Sequence, residues 1–312
     1  MKENELKESP EDKFSVSVLI PAYNEAETIG EIVKKIIAIH PNFEIIVVND
    51  GSMDHTGEVA KEAGAIVYSH PYNIGNGAAI KSGIRIASGE ILVFMDGDGQ
   101  HDPNEISSLL AHFPDYDMVV GARGKGHQAS WLRAFANKIY NRFASYVAKF
   151  EVQDLTSGFR AVKADIATSL LYMLPNTYSY PTTLTLSVLR TGRRVKYVAI
   201  TSHKRKGGKS NIRLVEDGVR FFLIIIRICT VFSPFRVFLP VSFAIFLLGM
   251  MNYAYTFFNE GRFTNMSALM FSTSVIIFMM SLISEQISQM RFERRESKTL
   301  FSAERDHIFS SE

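Results

Sequence analysis

Between Val237 and Phe258 the chain runs for 22 residues without a charged side chain. A second uncharged stretch, Ser267–Ser284, follows a short connector, Asn259–Asn265. At 1.5 Å per helical residue the first stretch reaches about 33 Å, enough to cross a hydrocarbon core of roughly 30 Å. Pro240 lies near its start, where a membrane helix tolerates it. Single runs of this length also occur as buried core helices, but two in tandem exceed ordinary core-helix length. The expectation is a hairpin of two membrane-spanning helices within residues 235–291, at about 237–258 and 267–288, the second able to run on past Glu285. Arg220, Arg227 and Arg236 precede the hairpin and Arg291, Arg294 and Arg295 follow it, whereas the connector carries only Arg262 beside Glu260. Basic residues stay on the cytoplasmic side. Both chain ends, the tail 292–312 and everything before the hairpin are therefore expected in the cytoplasm, as parts of an integral membrane protein. Ser272, Ser274 and Ser281 offer small polar contacts for helix association and so for a homo-oligomer.

The first two thirds of the chain differ. Most of the charge lies before about residue 220, yet the net charge is only +2, which gives no support for a nucleic-acid partner. The charged stretch Met1–Phe14 has no apolar centre and reads as a loose tail rather than a signal or transit peptide. The lone Cys229 has no intrachain partner for a disulfide. Five short apolar runs, Val16–Ile20, Ile45–Val48, Ala65–Tyr68, Ile91–Met95 and Met118–Gly121, suit strands buried on both faces. Helix-like segments fill the gaps: Glu25–Ile39 with its stripe Ile29, Ile32, Val33, Ile36 and Ile37, then Asp54–Ala63, Asn73–Ala87 and Pro103–His112. Alternating β and α elements predict an α/β, doubly wound, mostly parallel sheet whose ligand sits at the carboxyl ends of the strands.

The segment 211–234 carries Arg213, Glu216, Asp217, Arg220 and Arg227 at helical spacing on an otherwise apolar surface. It reads equally as a helix lying in the membrane interface and as an amphipathic helix packed on the soluble domain.

Polar residues cluster at the expected strand ends. Asp96 and Asp98 follow an apolar strand and flank Gly97, so both carboxylates can reach one hard cation, Mg²⁺ or Mn²⁺. Gln100 adds a neutral oxygen, and His101 an imidazole if the ion is Mn²⁺. An isolated Asp-x-Asp is more often a turn; its place at a strand end beside other polar strand ends favours the metal. Asp50 can accept from a uracil or guanine edge, or cap the next helix, a task Asp54 and Ser52 also suit. Tyr23 can contact a base ring. Glu25 can contact a ribose or base, or sit as a favourable carboxylate in a helix's first turn.

The successive segments Val18-Leu19-Ile20-Pro21-Ala22-Tyr23-Asn24-Glu25, Val48-Asn49-Asp50-Gly51-Ser52 and Met95-Asp96-Gly97-Asp98-Gly99-Gln100 resemble the signatures of family-2 inverting glycosyltransferases. Gly121-Ala122-Arg123, Asp154-Leu155-Thr156-Ser157-Gly158-Phe159-Arg160 and Arg205-Lys206-Gly207-Gly208-Lys209-Ser210 resemble the polyprenyl-phosphate branch of that family. That branch includes dolichyl-phosphate mannose synthases and undecaprenyl-phosphate glucosyltransferases, and the trailing hairpin is similar to the latter. The resemblance covers roughly residues 15–211. It implies a GT-A catalytic domain over 15–210, a nucleotide-sugar donor and a polyprenyl phosphate acceptor held at the bilayer. By position, it implies that Pro21, Tyr23, Glu25, Val48 and Asp50 hold the nucleotide. Asp96, Asp98 and Gln100 would meet the metal and diphosphate, and Arg123 and Arg205 the phosphates. Arg133, Lys138 and Lys209 are further cations for the acceptor phosphate. The family commonly ends its last motif in Ser-Lys, whereas Asn211 follows Ser210 here, and Lys209 stands one residue earlier.

A phosphate monoester is already largely ionised at neutral pH and needs little help from a base. Asp154 therefore reads either as a base or acceptor-orienting group, or as a structural tie to Arg160 or a helix N-terminus. The hairpin of the glucosyltransferase group makes UDP-glucose the first expectation for the donor and GDP-mannose the second. A processive polysaccharide synthase is disfavoured, because Trp131, the only tryptophan, is not preceded by arginine. A non-catalytic scaffold or transport accessory retaining the fold is disfavoured by the two aspartates.

Overall fold

The computed structural model describes residues 13–123, 141–142, 144–146, 148–201, 230 and 233–309. The chain divides into two compact units between Ile212 and Arg213. Arg133, Lys138, Arg205, Lys209 and nearly all of the expected interfacial helix lie outside the described residues.

The first unit is built on a seven-stranded sheet in the order β3-β2-β1-β4-β6-β5-β7. Its strands are β1 (Val16–Ala22), β2 (Glu44–Asn49), β3 (Ile66–Ser69), β4 (Ile91–Phe94), β5 (Met118–Arg123), β6 (Arg160–Lys163) and β7 (Val195–Ile200). All pairings are parallel except those of β6, which runs antiparallel to both β4 and β5. The apolar runs work because successive side chains point to opposite faces. Val16, Val18 and Ile20 join Val47, Val93 and Val119 in one core, under helices α1 (Ala26–Ile39) and α4 (Ile106–Leu110). Leu19, Ile46, Leu92, Phe94 and Val120 build the other, under α3 (Asn76–Ile86), α5 (Ala164–Leu170) and α6 (Tyr180–Arg190). The short α2 (Thr56–Glu62) joins the first face through Ala60. Each fully buried aliphatic side chain contributes about 1.5–3 kcal/mol over its exposed state, so both faces are strongly specified.

The expected strands and helices are present, with shifted ends. Pro103 opens a single 3₁₀ turn, Pro103–Glu105, capped by Asp102, whose carboxylate accepts from the Asn104 N–H at 3.1 Å, and α4 then stops at Leu110. Two strands escape the sequence pattern. β6 is four residues long with a charge at each end, and β7 is an edge strand interrupted by the half-exposed Lys196, a common device for blunting edges. At the end of the sheet away from the site, Ser17 Oγ donates to Glu44 and accepts from the Gly89 N–H at 2.8 Å.

The second unit is a helical hairpin of α7 (Pro234–Glu260) and α8 (Asn265–Phe309). Both helices are long and apolar enough to cross a membrane. Gly261, in the left-handed conformation at φ 65°, ends α7 and donates to the Phe257 carbonyl, as helix-terminating glycines do. At 45 residues α8 is about 68 Å long, so it extends well past a bilayer core and the expected tail is helical to Phe309. Buried small residues recur every seven positions: Ser242, Gly249 and Thr256 on α7, and Ser267, Ser274, Ser281 and Ser288 on α8. A seven-residue repeat keeps one seam facing the partner helix, and small residues let the backbones approach. Ser242 and Ser274 donate to each other's carbonyls at 2.9 Å. Near the open end the Phe235 N–H, in the first turn of α7, donates to Glu285 at 3.2 Å, which places an acid at a helix N-terminus.

A Cβ at Gly249 would lie 3.0 Å from Met270 Cβ and 3.3 Å from the Phe271 ring. Gly249→Leu is expected to overpack this seam and destabilise the hairpin by roughly 1–3 kcal/mol. The hairpin's unfolding in rising SDS, followed by circular dichroism, should shift to lower detergent; an unchanged midpoint would show that the seam is not close-packed.

Candidate active site

The parallel strands β1, β2, β4 and β5 all end on one side of the sheet. The antiparallel β6 begins there, so the loop 154–159 arrives at the same place. Arg160 is paired with Phe94, two residues before Asp96.

The floor is made of crossed loops. Asn24 adopts φ 53°, and its N–H donates to Ser52 Oγ while its Oδ1 accepts from the Met53 N–H at 2.9 Å. The Glu25 N–H donates to Thr56 Oγ1 at 2.9 Å. These bonds fasten the β1–α1 loop to the β2–α2 loop. Thr28 Oγ1 donates to the Gly97 carbonyl at 2.8 Å, fixing the Asp96-Gly97-Asp98 turn to α1. Asp98 Oδ1 accepts from the Gln100 N–H at 3.1 Å.

Asp96 stands at the centre, its side chain 34% exposed. His101, buried and stacked on Phe159 at 5.1 Å, brings Nε2 to 3.6 Å from Asp96 Oδ2, an electrostatic contact too long for a good hydrogen bond. Gly158 lies so close on another side that a Cβ there would collide with the Asp96 carboxylate. Burial opposes the charge of Asp96, but His101 beside it and the positive charges of Arg123 and Arg160 hold its carboxyl below the usual range. Among the described residues no three His, Cys, Asp or Glu side chains gather to hold an ion by themselves. Two carboxylates and an amide nonetheless fit a hard cation such as Mg²⁺, which commonly takes one or two carboxylates and completes its shell with water and substrate phosphates.

Arg123 and Asp154 form a two-point pair. Arg123 Nε donates to Oδ2 at 2.8 Å and Nη2 to Oδ1 at 3.1 Å, and Nη2 also donates to Thr156 Oγ1 at 2.6 Å. Asp154 Oδ1 accepts from the Thr156 and Ser157 N–H groups as well. Burial would raise the Asp154 carboxyl, but the Arg123 bond and charge, with the backbone donors, hold it below the ordinary value. A carboxylate so engaged is a poor general base. Its tie is to Arg123, rather than to Arg160 or a helix N-terminus.

The structure therefore brings Tyr23, Glu25, Asp96, Asp98, Gln100 and Arg123 to the carboxyl ends of the strands. Three expected nucleotide contacts are buried. The Val48 side chain is 1% exposed in the core beside Leu19 and Ile84, so only its backbone can serve a ligand. Asp50 is also buried; its carboxylate accepts from the Ile74 and Gly75 N–H groups at 3.0 and 2.8 Å and contacts His70 Nδ1 at 2.6 Å. That network holds the loop before α3. Pro21 is buried too, its carbonyl 3.3 Å from where a Cβ on Gly97 would stand. His70 had no sequence signal, whereas Arg160, a charge inside the run Phe159–Val162, carried one.

This sheet, with an Asp-x-Asp at the end of β4 and an arginine at the end of β5, is the GT-A fold of a sugar-transferring enzyme. Residues 17–171 match Glycosyl transferase family 2, and residues 233–290 match the GtrB C-terminal hairpin. The chain belongs to glycosyltransferase family 2. It is 34% identical over 169 residues to an uncharacterized protein of Methanocaldococcus jannaschii, covering 51% of this chain and 69% of that one. It is 31% identical to an undecaprenyl-phosphate 4-deoxy-4-formamido-L-arabinose transferase of Proteus mirabilis, a match that spans 50% of this chain and 51% of the relative. The protein of the same name from Edwardsiella ictaluri is 26% identical over 88% of this chain and 89% of its own. Among solved structures, glucosyl-3-phosphoglycerate synthase from Mycobacterium tuberculosis, in complex with Mn²⁺, uridine-diphosphate and glucosyl-3-phosphoglycerate, shares the fold. Its TM-score is 0.58 at 21% identity, over 71% of this chain and 82% of that one.

Proposed function

We propose that the chain transfers a hexose from a nucleotide sugar to a polyprenyl phosphate with inversion at the anomeric carbon. UDP-glucose is the first choice of donor and undecaprenyl phosphate the acceptor. The observation that carries this is the engagement of Asp154 by Arg123. The site holds its carboxylates charged and its arginine oriented, and offers no raised-pKa acid or free base at the pair. Such a site suits a nucleophile that is already an anion, as a phosphate monoester is, better than a sugar hydroxyl. The relatives named for transfer to undecaprenyl phosphate and the membrane-length hairpin support the same acceptor.

In this reading Asp96, Asp98 and Gln100 hold a divalent ion, which supplies positive charge to the leaving diphosphate. Tyr23 and Glu25 face the nucleoside. Asp50 sets the loop beneath it through His70 and the backbone. Arg123, fixed by Asp154, presents its remaining N–H groups to phosphate oxygens, with Arg133, Lys138, Arg205 and Lys209 as further cations. Two anionic substrates repel each other, so these charges act where negative charge gathers. The hairpin anchors the enzyme where polyprenyl chains reside, with the catalytic unit and both chain ends cytoplasmic, which raises the effective acceptor concentration.

The donor is tested by offering purified protein, Mn²⁺ and a short polyprenyl phosphate a panel of nucleotide sugars and weighing the lipid product. UDP-glucose is expected to be turned over at least about tenfold better than GDP-mannose, a preference of about 1.4 kcal/mol. A larger rate with GDP-mannose, or with a 4-deoxy-4-formamido-L-arabinose donor, would reassign the sugar without touching the lipid acceptor.

A further inference from the structure

Arg160 is the largest fully buried side chain of the molecule's described part, at 0% exposure. Burying a guanidinium is costly unless it is well paired. Among the described residues no carboxylate bonds it; Nη1 donates to the Pro181 carbonyl at 2.8 Å and to Thr185 Oγ1 at 2.9 Å, and Nη2 donates to the Ser157 carbonyl. Nε has no partner among the described residues. The carboxylates whose charge it feels are Asp154 and Asp96. One guanidinium thus joins the first two turns of α6 to the turn Ser157–Gly158. That turn lies against Asp96, where Gly158 leaves no room for a Cβ.

We propose that Arg160 is a positioning residue for the transfer site. By clamping the Ser157 carbonyl to α6, it presses the Gly158 backbone against Asp96 and gives that carboxylate a single orientation toward the metal and diphosphate. This rests on the assignment of Asp96 to that centre. Arginine is required because its planar fork bonds Ser157, Pro181 and Thr185 at once, which a lysine ammonium cannot reproduce in the same geometry.

The test uses the full-length protein in nanodiscs and compares wild type with Arg160→Lys, Arg160→Met and Gly158→Ala. Mn²⁺–UDP affinity is read by calorimetry, kcat and KM by transfer, and hydrogen exchange at residues 155–159 without any ligand. Groups that orient metal-binding carboxylates typically matter by 10–100-fold, so Arg160→Lys should weaken Mn²⁺–UDP binding by about that factor while melting like wild type. Exchange at 155–159 should quicken at the same time. Gly158→Ala, with Arg160 intact, should weaken binding similarly, and it carries the test if both Arg160 variants fail to fold. A folded Arg160→Lys protein with wild-type Mn²⁺–UDP affinity would overturn the proposal, as would wild-type binding by Gly158→Ala. If the wild type itself binds no Mn²⁺–UDP, the donor reading fails. The exchange comparison still decides the clamp: faster exchange at 155–159 in Arg160→Lys supports it and unchanged exchange overturns it.

Discussion

Asp96→Ala should abolish sugar transfer, lowering kcat by about 10³-fold or more, while the protein stays folded and membrane-bound. The expectation follows from where Asp96 sits. It is the first polar residue after β4, framed by His101 and the Gly158 backbone and facing the Arg123 and Arg160 charges. Its side chain is partly exposed and belongs to neither hydrophobic cluster. Asp96→Asn keeps the shape and removes only the charge, so it should lose nearly as much activity. Chelation with EDTA should reproduce the loss in the wild type, and Mn²⁺ or Mg²⁺ should restore it. Near-normal metal-dependent transfer by Asp96→Ala would remove the centre from this turn.

The second large effect belongs to the Arg123–Asp154 pair. Arg123→Ala leaves the Asp154 carboxylate nearly buried with only Thr156 and backbone donors. Breaking a fully buried pair costs about 3–5 kcal/mol; here a loss nearer 2 is expected, because a third of the Arg123 side chain remains in solvent. Activity should fall by about 10²–10³-fold. Asp154→Asn should cost less, and the double variant should cost little more than Arg123→Ala alone, since the two act as one unit. The pH dependence separates the roles. The folded-state pKa of Asp154 is depressed, so its stabilising contribution is present above the unfolded value near about 4 and is lost as pH falls through the folded value. Asp154→Asn should therefore lower stability most at neutral pH, with the gap to wild type closing as pH falls through the folded value, and should not change the shape of the kcat–pH profile around neutrality. Loss of an acidic limb in that profile would make Asp154 a base after all.

Much of the fold and the place of the site are legible in the sequence. β1, β2 and β4 announce themselves because they are apolar on both faces, and the hairpin because nothing else needs so long an uncharged run. The polar strand ends located the site. What stayed hidden depends on partners distant in sequence. The burial of Asp50 follows from His70 and the 74–75 amides, which no local pattern reveals. The partner of Asp154 lies 31 residues earlier. β6 was missed because Arg160 breaks the apolar run that defines a buried strand, and that interruption is itself the mark of a buried role. The heptad of small residues in the hairpin was partly visible in Ser274 and Ser281. The matching Ser242 and Gly249 gain meaning only when the helices are laid side by side.

The most direct measurement is the mass and anomeric configuration of the lipid formed by purified full-length protein in nanodiscs with Mn²⁺, UDP-glucose and a short polyprenyl phosphate. A hexosyl phospholipid of inverted configuration should form, dependent on metal, and the corresponding polyprenol should not be a substrate. Transfer to the polyprenol, a retained configuration, or donor hydrolysis with no lipid product from any nucleotide sugar would contradict a site built for an anionic lipid acceptor.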